Sequence, residues 1–522
     1  MQNAQNNAKR WWALAAVCIA IFMALLDVTV VNVALPTIQK SFNDTFDQLQ
    51  WIVNAYTLMY AISLLLISKL GDIFGRKLMF ILCLSLFTVG SLAGSMAPND
   101  SLLILFRGIQ GIGGSGMMSL SMSIVATMFQ GRERGLALGI WSSIAGLSTA
   151  SGPLVGGLLV QYFSWRAIFL VNVPIGIIAI IMSILFIIKS NHTEHVKIDW
   201  IGMVVSTLMV FCFIFGLIQK ENHANYDWTN WHVASLLLAG VLLLVFFIWI
   251  EHKLISPMID LSIFSSTSFI GTCIAAFVLG GGMYAFYTYL TVLMQNYMGY
   301  TALQTGFRQM LISSFSLVLG PITGSLTNRI RPRYLITGAL LLMGGGMLSA
   351  LLNLGYSSTW TVLILSFILF GLGNALINPP ISSTAIESVE SRHIGMASGV
   401  VNVFRQGGTS FGVVILGIML TNTFNSKVTS GLSHIHNLPE TAKTGLQKGL
   451  FAAGPFSGNA IINSPQAKQL HQIPGLFGQV KTAVFHAYYQ GMNSVIATSL
   501  IMFSIAAILC FILISIKPHN QA

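Results

Sequence analysis

Charge is what this chain has least of. Only 8% of its 522 residues are Asp, Glu, Lys or Arg, against 54% hydrophobic, and its mean hydropathy is +0.76. Soluble domains carry roughly 25% charged residues, so the balance excludes an ordinary water-soluble globule and points to an integral membrane protein. Acids are the scarcer sign, 15 Asp and Glu beside 26 Lys and Arg. The five cysteines (Cys18, Cys83, Cys212, Cys273 and Cys510) sit inside apolar runs and form no CxxC pair, so no disulfide or metal framework is expected. HExxH, a Walker A lysine motif and any Cys/His cluster are missing too, which leaves ATP-driven pumping and metal chemistry unsupported. No cofactor and no metal are expected, and an ion gradient is the remaining energy source. A cleavable signal peptide is not evident either: only Lys9 and Arg10 precede a span-length apolar core.

Apolar runs of the ~20 residues a bilayer requires recur along the chain. They fall at 11–35, 51–70, 78–97, 101–128, 135–160, 167–188, 199–218 and 232–251, then 269–294, 305–328, 334–354, 360–386, 394–421 and 485–513. Fourteen spans are therefore predicted, giving an all-α membrane protein. With both termini in the cytoplasm, the inner side collects Lys9, Arg10, Lys69, Arg76, Lys77, Arg132 and Arg134 among others, while the short outer loops hold only Lys40, Arg166 and Lys220. That asymmetry is the positive-inside pattern, so the net charge of +11 marks topology and not a nucleic-acid surface.

The chain also repeats itself. SKLGDIFGRK (68–77) returns in degraded form as GSLTNRIRPR (324–333), and RERGLALGI (132–140) as SRHIGMASGV (391–400). Two related halves follow from this, with two spans inserted between them, an organisation usual in secondary transporters. The expected domains are an inner N-terminus (1–10), a six-helix bundle (11–188) and an inserted pair with linkers (189–268). A second six-helix bundle (269–513) carries a long outer loop at 422–484, and an inner tail covers 514–522.

One acid stands apart. Asp27 lies about four turns into a helix starting at Trp11, where a charge costs on the order of 3 kcal/mol by insertion scales. The other acids fall in loops or at predicted span ends. Removal from water disfavours a carboxylate, so Asp27 is expected to load and release a proton, the alternative being a permanently ionised partner for Arg107 or Asn32. Arg107 sits near the start of the fourth span beside Gly108, Gly111 and Gly113, a bare helix side suited to close packing, and Phe367 occupies its place in the second half. Asn32, Tyr56, Gln110, Tyr284, Tyr287 and Arg405 are candidate cavity residues. GGSG (113–116) matches a serine-protease pattern formally, but a nucleophile needs a base within reach and His486 lies at the predicted outer start of the last span, so an intramembrane hydrolase at Ser115 is a remote alternative.

Several stretches resemble the major facilitator superfamily. SKLGDIFGRK is similar to its loop motif between helices two and three, and LILFRGIQGIGG (103–114) to its fourth-helix pattern. GLSTASGPLVGG (146–157) resembles the fifth-helix motif of antiporters, and LDVTVVNVALP (26–36) the first-helix signature of the fourteen-span drug/proton antiporters. WRAIFLVNVPIG (165–176) and FRQGGTSFG (404–412) are similar to further patterns of that branch. Ser68, Ile73 and Ser148 depart from the family's usual residues.

The resemblance implies a major facilitator fold and alternating access. It implies a gate built on Asp72, Gly75, Arg76 and Lys77, with Asp72 pairing to a helix N-terminus or an arginine of the opposite half. It implies an antiporter helix sealed by Gly152, Pro153, Gly156 and Gly157 against the other half. The implied function is proton-coupled export of amphipathic or toxic small molecules across the cell membrane by a monomer, with the small molecule, protons and lipid as its partners. Export of a lipid, fatty acid or metabolite is the alternative on the same fold.

Overall fold

The computed structural model describes residues 2–42, 46–188, 199–222, 226–254, 257–327, 329–356, 358–390, 393–435, 440–455 and 475–515. All regular structure among them is helical. The helices are α1 (Gln2–Phe42), α2 (Phe46–Phe74), α3 (Arg76–Ser95), α4 (Asp100–Met128), α5 (Gly131–Tyr162), a short α6 (Ala167–Leu170) continuing into α7 (Asn172–Phe186), α8 (Trp200–Asn222) and α9 (Trp231–Glu251). Then come α10 (Thr267–Val278) and α11 (Ala285–Val292), joined and extended by π turns at Leu279–Tyr284 and Leu293–Tyr297. The series ends with α12 (Ala302–Leu326), α13 (Pro332–Asn353), α14 (Ile364–Glu387), α15 (Ile394–Ser433), α16 (Glu440–Ala453) and α17 (Leu476–Leu513).

Twelve segments of the described chain are long and apolar enough to cross a membrane. The two others expected, α4 and α5, have 29 and 32 residues and so ample length; glycine and serine dilute their hydropathy. With them the fourteen expected spans all appear as helical rods.

Helices outrun the predicted spans at several ends. α1 starts at Gln2, and α2 continues through Phe74, so only Gly75 interrupts the stretch first read as a chain-reversing loop. That glycine has φ 98°, a conformation that side chains disfavour, and it separates α2 from α3. The expected outer loop 422–484 is helical at both ends. α15 persists to Ser433 because Phe424, Val428 and Leu432 prolong its buried stripe at helical spacing, and Gly431 meets Ala483 of α17. The middle of that loop (456–474), the linker at 189–198 and most of the expected tail (516–522) lie outside the described residues.

Glycines set the close contacts. Cβ atoms on Gly111 and Gly113 of α4 would strike the backbones of α2 at Tyr56 and α3 at Cys83. The halves meet along α5 and α12, where Gly139 abuts Gly320 and Pro321, Gly324 abuts Gly135, and Gly146 abuts Ser316. The inserted α8–α9 hairpin packs through α8 against α2 and α15, with Trp51 and Phe215 rings 6.0 Å apart. α9 instead exposes Leu238, Leu242, Val245 and Trp249 on one face, as a lipid-facing helix should.

Candidate functional site: a buried ion pair and an inter-half latch

Asp27 of α1 and Arg107 of α4 form an ion pair with side chains 0% and 1% exposed. Arg107 Nη1 donates to Asp27 Oδ2 and also to Gln110 Oε1 at 3.1 Å, one turn along the same helix. Its Nε donates to the Ile52 carbonyl at 3.3 Å, and its Cζ lies 4.3 Å from the Tyr56 ring centroid. The second carboxylate oxygen, Oδ1, accepts from Asn172 Nδ2 at 2.9 Å and lies 3.5 Å from Gln110 Nε2. Asn172, the first residue of α7, also donates to Ser91 Oγ at 3.0 Å, and Ser91 donates to the Phe169 carbonyl. Desolvating two charges is expensive, and the pair persists because every neighbour serves one of them. Charge-assisted donors surround Asp27, an arrangement suited to a carboxylate.

Asn172 and Ser91 were not singled out from sequence. Asn172 stands within the 165–176 stretch that carries part of the family resemblance, and this was the one available signal. Of the expected cavity residues, Tyr56 and Gln110 belong to the ion-pair cluster, and the Tyr56 hydroxyl has no hydrogen-bond partner among the described residues. Asn32 is exposed, and the described hydrogen-bond partners of Asp27 are Arg107, Gln110 and Asn172 instead, which corrects the idea that Asn32 could partner that acid. Tyr287 is half-buried on α11; the side chains of Tyr284 and Pro153 lie outside what the structure describes. Arg405 of α15 is 8% exposed, and its Nε has no acceptor among the described residues, in contrast to Arg107, whose Nε and Nη1 both have acceptors.

A second constellation joins the halves. The Asp72 carboxylate accepts from Arg76 Nε at 3.1 Å and Nη2 at 2.9 Å, one turn away across Gly75. It also lies directly against Gly395, in the first turn of α15, where backbone N–H groups favour an anion. The arginine is thus from the same half, and the opposite half contributes the helix N-terminus. Lys77 Nζ donates to the Ile184 carbonyl in the last turn of α7 at 2.6 Å. Ser68, the departure from the family motif, donates to the Gly395 carbonyl at 2.7 Å. Ser398 donates to the Ser119 carbonyl at 2.8 Å, a second bond between α15 and the first half.

The antiporter-helix glycines divide between two partners. Gly157 approaches Leu303 of α12, in the other half, as expected. Gly152 and Gly156 instead face Thr29 and Val30 of α1, so two of the motif's glycines seat α5 on the helix that carries Asp27. That corrects the expected seal: their small size admits a neighbour in the same half. Ser115, the remote nucleophile, is fully buried in α4 and donates to the Ile112 carbonyl at 2.8 Å, while His486 is exposed on α17. The Ser115 hydroxyl caps a helix carbonyl and has no base as a partner among the described residues.

The sequence matches the Major Facilitator Superfamily over residues 17–413. It is 32% identical to Multidrug resistance protein Stp of Mycobacterium tuberculosis over 415 residues, covering 79% of this chain and 76% of that one. It is 28% identical to Multidrug transporter protein MdtP of Bacillus subtilis, covering 100% of this chain and 96% of that one. In fold it is similar to the human organic anion transporter MFSD10, with a TM-score of 0.60 at 12% identity over 96% of this chain and 99% of that one. Paired helical halves, the buried Asp27–Arg107 cluster and the contact of Asp72 with α15 thus sit on a membrane transporter scaffold for small molecules, and the chain belongs to the major facilitator superfamily.

Proposed function

We propose that the protein is a proton-coupled antiporter that exports amphipathic drugs or similar toxic compounds across the plasma membrane. The single observation that carries this reading is the ion pair of Asp27 and Arg107, fully buried between α1 and α4. Two relatives bearing multidrug names support the cargo class. As Asp72 lies on the inner side by the positive-inside pattern, the latch closes the inside, and the described arrangement corresponds to a state closed to the cytoplasm. In that state Arg107, Gln110 and Asn172 hold Asp27 as a carboxylate. A proton entering from outside competes with Arg107 for Asp27; neutralising the acid frees the guanidinium and disengages α1 from α4. The cycle then returns through release of the proton inside, once the latch has opened. Arg405, whose Nε has no acceptor among the described residues, offers a fixed cation to a carbonyl or anionic group of the cargo. The working unit is a monomer, no cofactor takes part, and the gradient supplies the energy.

The test uses inside-out vesicles with ethidium as the cargo probe. Wild-type protein takes up the dye when the vesicle interior is acidified, and uptake collapses with the gradient. Asp27→Asn abolishes the gradient-driven component. Unchanged proton-driven uptake in that variant would remove the carrier role from Asp27. Efflux restricted to a lipid or metabolite would favour the alternative cargo.

A further inference from the structure

Two acids assigned by sequence to span ends are buried against one another. Asp199, just ahead of α8, is 8% exposed, and Glu251, the last residue of α9, is 3% exposed. A Cβ on Gly202 would strike both Asp199 Oδ2 and Glu251 Oε1, so these two oxygens face each other across that glycine. Backbone amides serve the rest of the pair. Gly202 N–H donates to Asp199 Oδ1 at 2.8 Å, Met258 N–H to Asp199 Oδ2 at 3.2 Å and Ile259 N–H to Glu251 Oε2 at 3.0 Å. Glu251 Oε1 receives no N–H or hydroxyl donor from the described residues; what it faces is the other carboxyl. Like-charged carboxyl groups sharing a buried site cannot both stay ionised, and one proton placed between them removes the conflict.

Two of these three amides, those of Met258 and Ile259, belong to a strap, residues 257–260, that reaches the latch. Lys69 Nζ of α2 donates to the Pro257 carbonyl at 2.8 Å and lies 3.4 Å from that of Met258. The Asp260 N–H is 3.1 Å from Met396 Sδ, and His393 Nε2 is 3.4 Å from Asp260 Oδ2, both partners flanking the start of α15. A small cavity lined by Ser68, Lys69, Asp72, Met258 and Met396 lies between strap and latch. The strap is therefore pinned to both halves of the transporter and to the inserted hairpin at once.

We propose that Asp199 and Glu251 share one proton, forming a second proton site separate from Asp27, and that losing this proton loosens the strap on the α2–α15 latch. The strap's action on transport rests on the reading of that end as a gate; the shared proton does not. The charged groups around the pair are Lys69 on α2, Asp72 with its partner Arg76, and Asp260 facing His393 beside α15. With the proton in place the pair carries one negative charge beside the Lys69 cation. Without it, two negative charges repel, the carboxyls part, and the Met258 and Ile259 amides lose their acceptors. Alkaline conditions at this end thus favour opening, and acid conditions favour the closed latch.

Infrared spectroscopy of the full-length protein in lipid nanodiscs reads the proton directly. At neutral pH the wild type shows a carboxylic-acid carbonyl band that disappears in Asp199→Asn and in Glu251→Gln alike and survives in Asp27→Asn. Absence of the band from the wild type, its persistence in both hairpin variants, or its loss in Asp27→Asn would overturn the proposal. Hydrogen exchange at Met258 and Ile259, corrected for intrinsic rates, supplies the second readout. Protection falls several-fold as pH rises in the wild type but not in Asp199→Asn, whose amide keeps a donor toward Glu251; equal pH dependence in both would detach the strap from the pair. Neither measurement needs transport, so a failed drug-export assay would leave both results standing.

Discussion

At the scale of single residues, the interior is governed by how few charges it holds. Breaking a buried ion pair by removing one member costs about 3–5 kcal/mol, because the other charge stays unpaired. Arg107→Ala is therefore expected to lower the thermal midpoint in nanodiscs and to abolish proton-driven uptake. Arg107→Lys retains the charge but loses the fork that reaches Asp27, Gln110 and the Ile52 carbonyl together. Its loss of stability should be smaller, with uptake still impaired; wild-type uptake in the lysine variant would mean that charge alone suffices. Asp27 and Arg107 were legible in the sequence because charges in spans are rare enough to count. Asn172 and Ser91 were not, since neutral polar residues are common in these helices and only the fold brings these two to Asp27. Ser68 was visible as a departure from a motif, but its bond to Gly395 depends on a residue 327 positions away. Ser68→Ala removes that bond at a cost of about 1 kcal/mol, so the inner end should open more readily, measured as faster labelling of a cysteine placed at Ser398.

At the scale of elements, glycine decides where helices break and how near they come. Gly75 has φ 98° and ψ 130°, and any other residue held there pays roughly 1–3 kcal/mol. Gly75→Ala should destabilise the α2–α3 corner and weaken the reach of Arg76 back to Asp72, seen as a lower thermal midpoint and increased inner accessibility. Gly407→Ala, at a glycine with open space around it, is the matched control and should change little. Span number was readable from hydropathy even through α4 and α5, where glycine and serine weaken the signal. Helix ends were not readable, because hydropathy reports the bilayer and not hydrogen bonding beyond it. α15 shows the difference: it remains helical past the predicted boundary because Phe424, Val428 and Leu432 still have α17 to pack on. The Asp199–Glu251 pair was hidden for a related reason. Each acid alone looks like an ordinary residue at a span end, and their meeting depends on how the α8–α9 hairpin folds back.

For the whole molecule, the two interfaces between the halves have different characters. Along α5 and α12 the contacts run from Gly135 with Gly324 to Gly157 with Leu303, so these helices stay close over nearly their full length. Between α15 and the first half, the hydrogen bonds that cross, Ser68 to Gly395 and Ser398 to Ser119, gather at the Asp72 end. A hinge along the first interface with an opening at the second is the motion this asymmetry permits, and it can be tested by locking the second. A Cβ on Gly399 would lie 2.9 Å from Ser68 Cβ. Disulfides prefer about 3.5–4.5 Å between Cβ atoms, so the helices need part only slightly to accept one. Among the native thiols, Cys18, Cys83, Cys273 and Cys510 are buried and Cys212 half-buried, so the background of unwanted crosslinking should be low. The double variant Ser68→Cys with Gly399→Cys, once oxidised, is expected to stop uptake into inside-out vesicles, and a reductant should restore it. The outward end of the same oxidised protein should remain accessible to a labelling reagent at a cysteine placed at Asn32, an exposed position on α1. Full transport by the crosslinked protein would show that the Asp72 end never has to open, and the rocking motion about α5 and α12 would have to be abandoned.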